Sequence, residues 1–447
     1  MKINQNRSGF KGLILGLIVI AASVNVLAQD GETITLNKAV KLGSSANVEL
    51  NLYDLKAVVM PSSKNEIRIE LDYIATGKEE EVKRLKALMA SSILKGASGS
   101  SDATVELTFQ KNFDLEIMGK RWSKVTFNSD KKETIKLKNF KIMRCEIWLP
   151  STANVSLDAK YSQLRFDDVL KGNFELDLYD GQLQLKDVTG YLKGDAKYSQ
   201  IKGGSFSDID LDIYECEVSV GNTTTCNLDA KYSTIKVGET QRLILDIYEG
   251  GLSGIRAEKA QIKNKYASIN INELAELKLD AYEGGLEVGK MQELTLSAKY
   301  LEVSLGHVED FRMNEGYENE ISIEKVKRLV SRNGKYNEFS IGSLGQALIH
   351  SGYEDEIEIE NIASDFLKIE LSGKYIEAGL VFINPPPYVL AGKIQYPGID
   401  IKESDYEIRR KIGDDNHLEF LYEFGTVKES SSIINIEGYE MDISIQN

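Results

Sequence analysis

Thirteen tyrosines between Tyr161 and Tyr375 recur every 16 to 22 residues and alternate between two phrases. One is Lys-Tyr, as at Lys160-Tyr161, Lys197-Tyr198, Lys231-Tyr232 and Lys265-Tyr266; the other is Tyr-acid, as at Tyr179-Asp180, Tyr214-Glu215, Tyr248-Glu249 and Tyr282-Glu283. Such a series points to recognition rather than turnover. A phenol ring offers an apolar face together with a hydrogen-bonding hydroxyl, and an interleaved lysine adds a cation whose stem can lie along the ring. The candidate ligand-binding residues are therefore Tyr179, Tyr214, Tyr248 and Tyr282 with Lys197, Lys231 and Lys265. The leading reading makes the same residues a structural ladder, with the binding ridge as its alternative.

Residue types suited to catalysis are sparse. His307, His350 and His417 stand far apart and outside any metal-ligand spacing. No phosphate-binding glycine loop and no Gly-x-Ser-x-Gly elbow occurs. Acid pairs such as Asp167-Asp168 read as solvated loop residues. A series of aspartates (Asp158, Asp177, Asp195, Asp212, Asp229, Asp246 and Asp280) raises the question of calcium, but calcium needs 6–8 converging oxygens, and a single carboxylate per repeat does not supply them. No metal and no cofactor is expected, and the chain is read as a non-enzyme.

The elements that carry these residues follow from the spacing. Gly194, Leu211, Leu228, Leu245, Ile262, Leu279 and Leu296 lie 17 residues apart. Within one repeat, apolar residues sit at that position and two, seven and nine places later, as in Leu228, Ala230, Ile235 and Val237. Two-residue steps are strand periodicity, and the jump of five marks a corner. Proline is absent between Pro150 and Pro385, as sheet ladders require. The predicted fold is all-β: a parallel β-solenoid, or β-helix, with rungs of 17 residues and a two-rung repeat of 34. Stacking then sets Lys160, Tyr179, Lys197, Tyr214, Lys231, Tyr248, Lys265 and Tyr282 in one column and Tyr161, Asp180, Tyr198, Glu215, Tyr232 and Glu249 in the next. Tyrosine separates acids that would otherwise repel across neighbouring strands.

The predicted organisation is a signal peptide over 1–28, an N-terminal β-rich capping region over 29–150, the tyrosine-repeat solenoid over 151–384 and an irregular β cap over 385–447. In the first cap, Ile67 to Leu71 and Val105 to Phe109 alternate as strands. A helix near 78–95 carries the stripe Val82, Leu85, Leu88, Met89 and Ile93, with Thr76 and Glu79 as a capping box, Gly96 as its stop and Ala97 to Asp102 as a mobile loop. The helix is expected to cover the first rung, because open sheet edges invite aggregation.

Lys2, Arg7 and Lys11, the apolar run Leu13 to Val24 and Val26-Leu27-Ala28 form an export signal, with a membrane anchor as the alternative. Without the three signal cations, 51 basic face 69 acidic residues, a net charge near −18. That balance disfavours nucleic acid and anionic lipid. No later segment is long and apolar enough to span a bilayer. Cys145, Cys216 and Cys226 are too few for a disulfide scaffold; Cys145 reads as a buried thiol, while Cys216 and Cys226 could pair.

The segment Cys145-Glu146-Ile147-Trp148-Leu149-Pro150-Ser151-Thr152-Ala153-Asn154-Val155, running on to Lys160-Tyr161, resembles the opening of the bacterial putative-adhesin (head-GIN-like) β-solenoid domains. The resemblance covers roughly 35–380. It implies a β-rich N-terminal part followed by short repeated strands, and adhesion by analogy; it transfers no binding residue, and this chain departs from the family by placing tyrosine and lysine where many relatives carry small residues. The expectation is an exported, non-enzymatic structural or adhesin-like module of the cell envelope, periplasmic or at the cell surface, with an envelope protein or a glycan as partner. The alternatives are a carbohydrate-binding module on the Tyr/Lys ridge and, behind it, a polysaccharide-cleaving enzyme.

Overall fold

The computed structural model describes residues 33–117, 120–127, 133–429 and 431–447; the signal peptide expected over 1–28 lies outside them. They fall into two compact parts, one ending at Asp168 and one running from Val169 to Asn447. Both are almost entirely strand, with parallel pairing predominant in the second.

The N-terminal part contains β1 (Thr33–Tyr53), β2 (Lys56–Ser62), β3 (Glu66–Gly77), α1 (Glu79–Ser92), β4 (Leu94–Lys95), β5 (Ser100–Ile117), β6 (Lys120–Phe127), β7 (Glu133–Pro150), β8 (Asn154–Lys160) and β9 (Gln163–Phe166). The first half of β1 pairs antiparallel with β3, and β3 with β7. The second half of β1 changes character. Asn47 to Tyr53 run parallel to Asn154 to Lys160, and β2 runs parallel to β9. Residues 47–59 thus stack on 154–166, across 107 positions of sequence.

The helix forms where its apolar stripe predicts, and Leu85, Met89 and Ile93 are fully buried while Val82 and Leu88 are half-buried. Its ends differ from expectation. Lys78 holds the N-cap with extended backbone and no side-chain cap, and Thr76 stays in β3 opposite Asn139. Glu79 is consequently the first helical residue rather than the third. The start is stabilised instead by Glu79, Glu80 and Glu81 against the helix dipole. The helix stops before Gly96, because Leu94 and Lys95 already pair with β5. Ser100 to Asp102 are not loop either: they belong to β5, with Asp102 opposite Asn47. The free edge of β1 is taken by β5, whereas α1 packs on β3 and β7.

In the C-terminal part, strand follows strand in parallel register. Phe174–Tyr179 pairs with Leu192 to Lys197, these with Ile209 to Tyr214, then Cys226 to Lys231, then Leu243 to Tyr248. A second series runs beside it from Gln182–Gln184 through Gln200–Lys202 and Glu217 to Ser219 to Thr234 to Lys236. The steps are 17 or 18 residues, and Gly194, Leu211, Leu228 and Leu245 lie opposite one another as their spacing predicts. Leu228, Ala230, Ile235 and Val237 are buried, as are Leu279, Ala281, Leu286 and Val288; removing these aliphatic rows from water is the main stabilising term.

The register does not end at Pro385. Ser432–Gln446 pairs parallel with Lys368–Lys374 and Glu377–Val381 on one side and with Tyr388–Ile401 on the other. The last strand of the chain is therefore inserted between two earlier ones. The irregular cap expected over 385–447 reduces to an antiparallel hairpin, Tyr406–Asp414 with His417–Phe424, laid on the outer edge of Tyr388–Ile401. Antiparallel pairing protects an edge that would otherwise be open.

Candidate functional site

Each repeat of the C-terminal part turns a corner, and the tyrosines lie at that corner. Tyr179 sits opposite Lys197, Lys197 opposite Tyr214, Tyr214 opposite Lys231 and Lys231 opposite Tyr248. The candidate residues from Tyr179 to Tyr248 thus form one column at the strand end, and Lys265 lies between the Tyr248 and Tyr282 rings. The next residue in each repeat is the corner itself. Asp180, Tyr198, Glu215, Tyr232, Glu249, Tyr266, Glu283, Tyr300, Glu318, Tyr336, Glu354, Tyr375 and Glu440 all have φ between 48° and 65°. A left-handed corner without glycine costs about 1–2 kcal/mol per residue. Corner amides recover part of it by donating to the neighbouring strand end, as Tyr198 N–H does to the Tyr214 carbonyl and Glu215 N–H to the Lys231 carbonyl, both at 2.9 Å.

The rest is recovered by the rings. Tyr179, Tyr198, Tyr214, Tyr232, Tyr248, Tyr266, Tyr282, Tyr300, Tyr317, Tyr336, Tyr353 and Tyr375 meet edge to face in that order, with centroids 5.4–5.7 Å apart. The series runs on through Tyr439 to Tyr396. Each contact contributes about 0.5–1.5 kcal/mol, which is the size of the corner strain. The N-terminal part has its own pair, Tyr53 with Tyr161 at 5.4 Å, with Asp54 and Tyr161 as its left-handed residues.

The polar groups are arranged more selectively than alternation alone suggests. The Tyr214, Tyr317 and Tyr353 hydroxyls are held in the protonated form chiefly by hydrogen bonds to the next residue's carboxylate, Tyr317 being pushed up to about 12. Tyr248 is also raised, first by desolvation. Among the described lysines, Lys265 is the one lying over tyrosine rings, 5.6 Å from the centroids of Tyr248 and Tyr266 and 6.0 Å from Tyr282.

Two residues before the strand end, on the same outward face, runs the aspartate column. Asp177, Asp195, Asp212, Asp229 and Asp246 lie opposite one another in turn. A trough of about 380 Å³ opens on this face, lined by Asp210, Asp212, Asn227, Asp229 and Asp246 and reaching Gln261 and Lys263. Asn227 donates to Asp210 at 2.7 Å, while the carboxylates of Asp212, Asp229 and Asp246 carry no hydrogen bond or ion pair among the described residues. A second hollow of about 550 Å³ lies elsewhere, lined by residues including Thr223, Thr240, Arg256, Glu258 and Lys290. No group of three or more His, Cys, Asp or Glu among the described residues is placed to hold a metal ion.

The cysteines do not pair. Cys216 and Cys226 are separate buried thiols, with Cys216 Sγ donating to the Ala196 and Tyr214 carbonyls at 3.3 Å. Burial pushes Cys145 and Cys226 up to about 12. His307 bonds Glu309 and His350 bonds Ser372, in separate places. No helix among the described residues is long and apolar enough to cross a membrane.

Sequence reasoning missed the left-handed corners, although a signal was present. Apolar residues five apart lie on opposite faces of a continuous strand, so an odd jump requires one residue to leave the extended region. It also missed Tyr53, Tyr396 and Tyr439 as members of tyrosine contacts.

No family model matches the chain, and no curated protein matches it. Among solved structures the chain is similar to that of a putative cell adhesion protein from Clostridium sporogenes, at 10% identity, over 93% of this chain and 99% of that one, with a TM-score of 0.17. So loose a superposition carries neither fold detail nor function across.

Proposed function

We propose that this chain is an exported, non-enzymatic β-solenoid of 17-residue rungs that serves as a structural or adhesin-like interaction module of the cell envelope, in the periplasm or at the cell surface. The observation that carries the reading is the parallel register itself. Strand ends, left-handed corners and tyrosine rings repeat with nearly constant geometry from Tyr179 to Tyr375. Stacked repeats present an extended, regular surface suited to contact with another extended molecule. The residues 1–28 support export, and the net negative charge supports a partner other than nucleic acid.

A second reading is favoured by one feature, the trough that holds the unpaired Asp212, Asp229 and Asp246, two residues before Tyr214, Lys231 and Tyr248 on the same strands. Carboxylate and amide side chains next to an aromatic ridge suit sugar hydroxyls and the apolar faces of sugar rings. On this reading the module binds glycan.

A binding screen of the purified chain against glycans and envelope proteins tests both, with the variant Tyr214→Ala/Tyr248→Ala/Tyr282→Ala alongside. Capture of a partner that the variant loses, at a melting temperature lowered by only a few degrees, supports the module. A variant that loses much of its stability, with no partner captured by the parent chain, reduces the ridge to scaffold.

A further inference from the structure

We infer that the trough takes an extended β-1,4-linked glycan of neutral or amino-bearing hexoses, lying along the direction in which the rungs stack; the inference rests on the glycan reading above. Three observations select this ligand class. The first is period. Rungs stack at about 4.8 Å, and the Lys-Tyr and Tyr-acid phrases alternate, so the same ring setting recurs every second rung, roughly 9.6 Å apart. An extended β-1,4-linked chain turns over at each sugar and presents the same face at every second one, with a disaccharide advance close to that spacing. Tyr214 and Tyr248, each two residues beyond a lining aspartate (Asp212 and Asp246), can therefore meet alternate sugars of one chain along the edge of the trough. A peptide strand is out of step, since its same-side side chains recur about every 6.8 Å, and the face of a paired sheet leaves it no free backbone edge to join.

The second is charge. Asp212, Asp229 and Asp246 are stacked, exposed and without a partner among the described residues. Such carboxylates accept hydrogen bonds from sugar hydroxyls or from a protonated amine, and they repel a uronate or sulfate. The third is the change along the trough. Asn227 at 2.7 Å from Asp210 supplies an amide, and Gln261 and Lys263 line it too, so donors to ring and hydroxyl oxygens stand beside the acceptors.

The test is calorimetric titration of the full chain with four hexasaccharides: cellohexaose, the β-1,4-N-acetylglucosamine hexamer, the β-1,4-mannuronate hexamer and maltohexaose, whose α-linkage coils the chain. The first two are expected to bind saturably, and the last two at least about tenfold more weakly. Tyr248→Ala should weaken the neutral hexamers about tenfold, whereas Tyr248→Phe, which keeps the ring and the fold, should retain them. Asp212→Asn/Asp229→Asn/Asp246→Asn should admit mannuronate. Arg256→Ala, in the other hollow, should change nothing. Equal binding of mannuronate or maltohexaose, lost in Tyr248→Ala, would leave a glycan site and overturn its linkage and charge preference. No binding of any hexamer, or binding lost only in Arg256→Ala, would overturn the trough as a glycan site altogether.

Discussion

Two stretches of the C-terminal part turn the same corner with different chemistry. From Leu178 to Gly250 the residue before the strand end is apolar and the one after the corner is small: Leu178 with Gly181, Ala196 with Ser199, Ile213 with Cys216, Ala230 with Ser233, Ile247 with Gly250. From Gly316 to Asp355 the pattern inverts, to Gly316 with Asn319, Gly334 with Asn337 and Gly352 with Asp355. Each corner encloses one space, filled from one side or the other. In the early rungs a hydroxyl folds back on its own rung, Ser199 Oγ on the Lys197 carbonyl at 2.7 Å and Ser233 Oγ on the Lys231 carbonyl at 2.8 Å. In the late rungs an amide reaches the next rung. Asn319 Nδ2 donates to Asn337 Oδ1 at 2.8 Å, and Asn337 Nδ2 to Asp355 Oδ1 at 2.9 Å. The early hydroxyls also accept from the preceding rung, Ser199 Oγ from the Gly181 N–H and Ser233 Oγ from the Cys216 N–H; the early corner is thus bridged singly, side chain to backbone, whereas the late corner is a buried ladder of side chain on side chain.

The largest expected effect comes from cutting the ladder. Asn337→Ala leaves the buried Asn319 N–H without its partner, at about 1–3 kcal/mol, and also removes the side-chain bonds to Asn319 Nδ2 and Asp355 Oδ1, although Asp355 Oδ1 keeps the residue 337 backbone N–H. Urea unfolding should show a loss of about 3–4 kcal/mol. Ser233→Ala in the early stretch orphans only the Cys216 N–H and should cost about 1–2 kcal/mol. Equal losses in the two variants would dissolve the distinction between singly bridged and laddered corners.

Asp355 ends the ladder imperfectly. Its Oδ2 is buried and has no hydrogen-bond partner, and burial raises its carboxyl above the ordinary 3.8. Asn319 and Asn337 use the equivalent Nδ2 to reach the Ala298 and Gly316 carbonyls, at 3.0 and 3.4 Å. Asp355→Asn should extend the series to Gly334 and stabilise the chain at pH 7 by about 1–2 kcal/mol. The sign with pH follows. A raised folded value means that the folded state holds the proton over the window above 3.8 where the unfolded state has released it, so stability falls as pH rises through that window. Melting temperatures of parent and variant should converge below pH 3.8 and separate above it. A parent that remains the more stable of the two at pH 7 would mean that the ionised carboxylate is accommodated.

What was legible in advance follows a physical line. The strand positions and their 17-residue register were readable because burial repeats: Leu211, Leu228 and Leu245 must all face inward. The single rung of residues 47–59 was not, because Tyr53-Asp54 stands alone in its part of the sequence, 107 positions before the rung it stacks on, and periodicity cannot flag an isolated unit. The exchange of order near the end was equally hidden, since nothing in Tyr439-Glu440 says which earlier strand it lies against. The stacking of Tyr179, Lys197, Tyr214, Lys231 and Tyr248 follows the register, but the left-handed backbone beside them was not foreseen, as tyrosine and glutamate are not the residues that favour it.

The smallest effect separates the two stretches on their outer face. At the start of the second strand the early rungs carry Gln182, Gln200, Glu217 and Thr234 in line, where amide and hydroxyl dilute the charge. The late rungs carry Glu302, Glu320, Glu338, Glu356, Glu377 and Asp442, each opposite the next. Like charges stacked directly across strands repel, and Glu356 is raised above its ordinary value first by desolvation and then by Glu338, Glu377 and Glu358. The group is solvent-exposed, so screening holds the cost to a few tenths of a kcal/mol, about the size of an exposed pair. Glu356→Gln should therefore stabilise the chain slightly at pH 7 and low ionic strength. The gain should shrink as salt is added, because exposed charges are screened over roughly 8–10 Å at physiological ionic strength. It should also vanish on acidification through the carboxylate range, where a raised acid ceases to be a liability. Gln200→Glu in the early stretch is the converse: it sets a carboxylate directly against Glu217, whose Oε2 now accepts from the Gln200 amide at 2.5 Å, and should destabilise by a similar amount with the opposite salt dependence. Opposite signs for the two substitutions would establish that the outer column, like the corner within, is built differently at the two ends of one register.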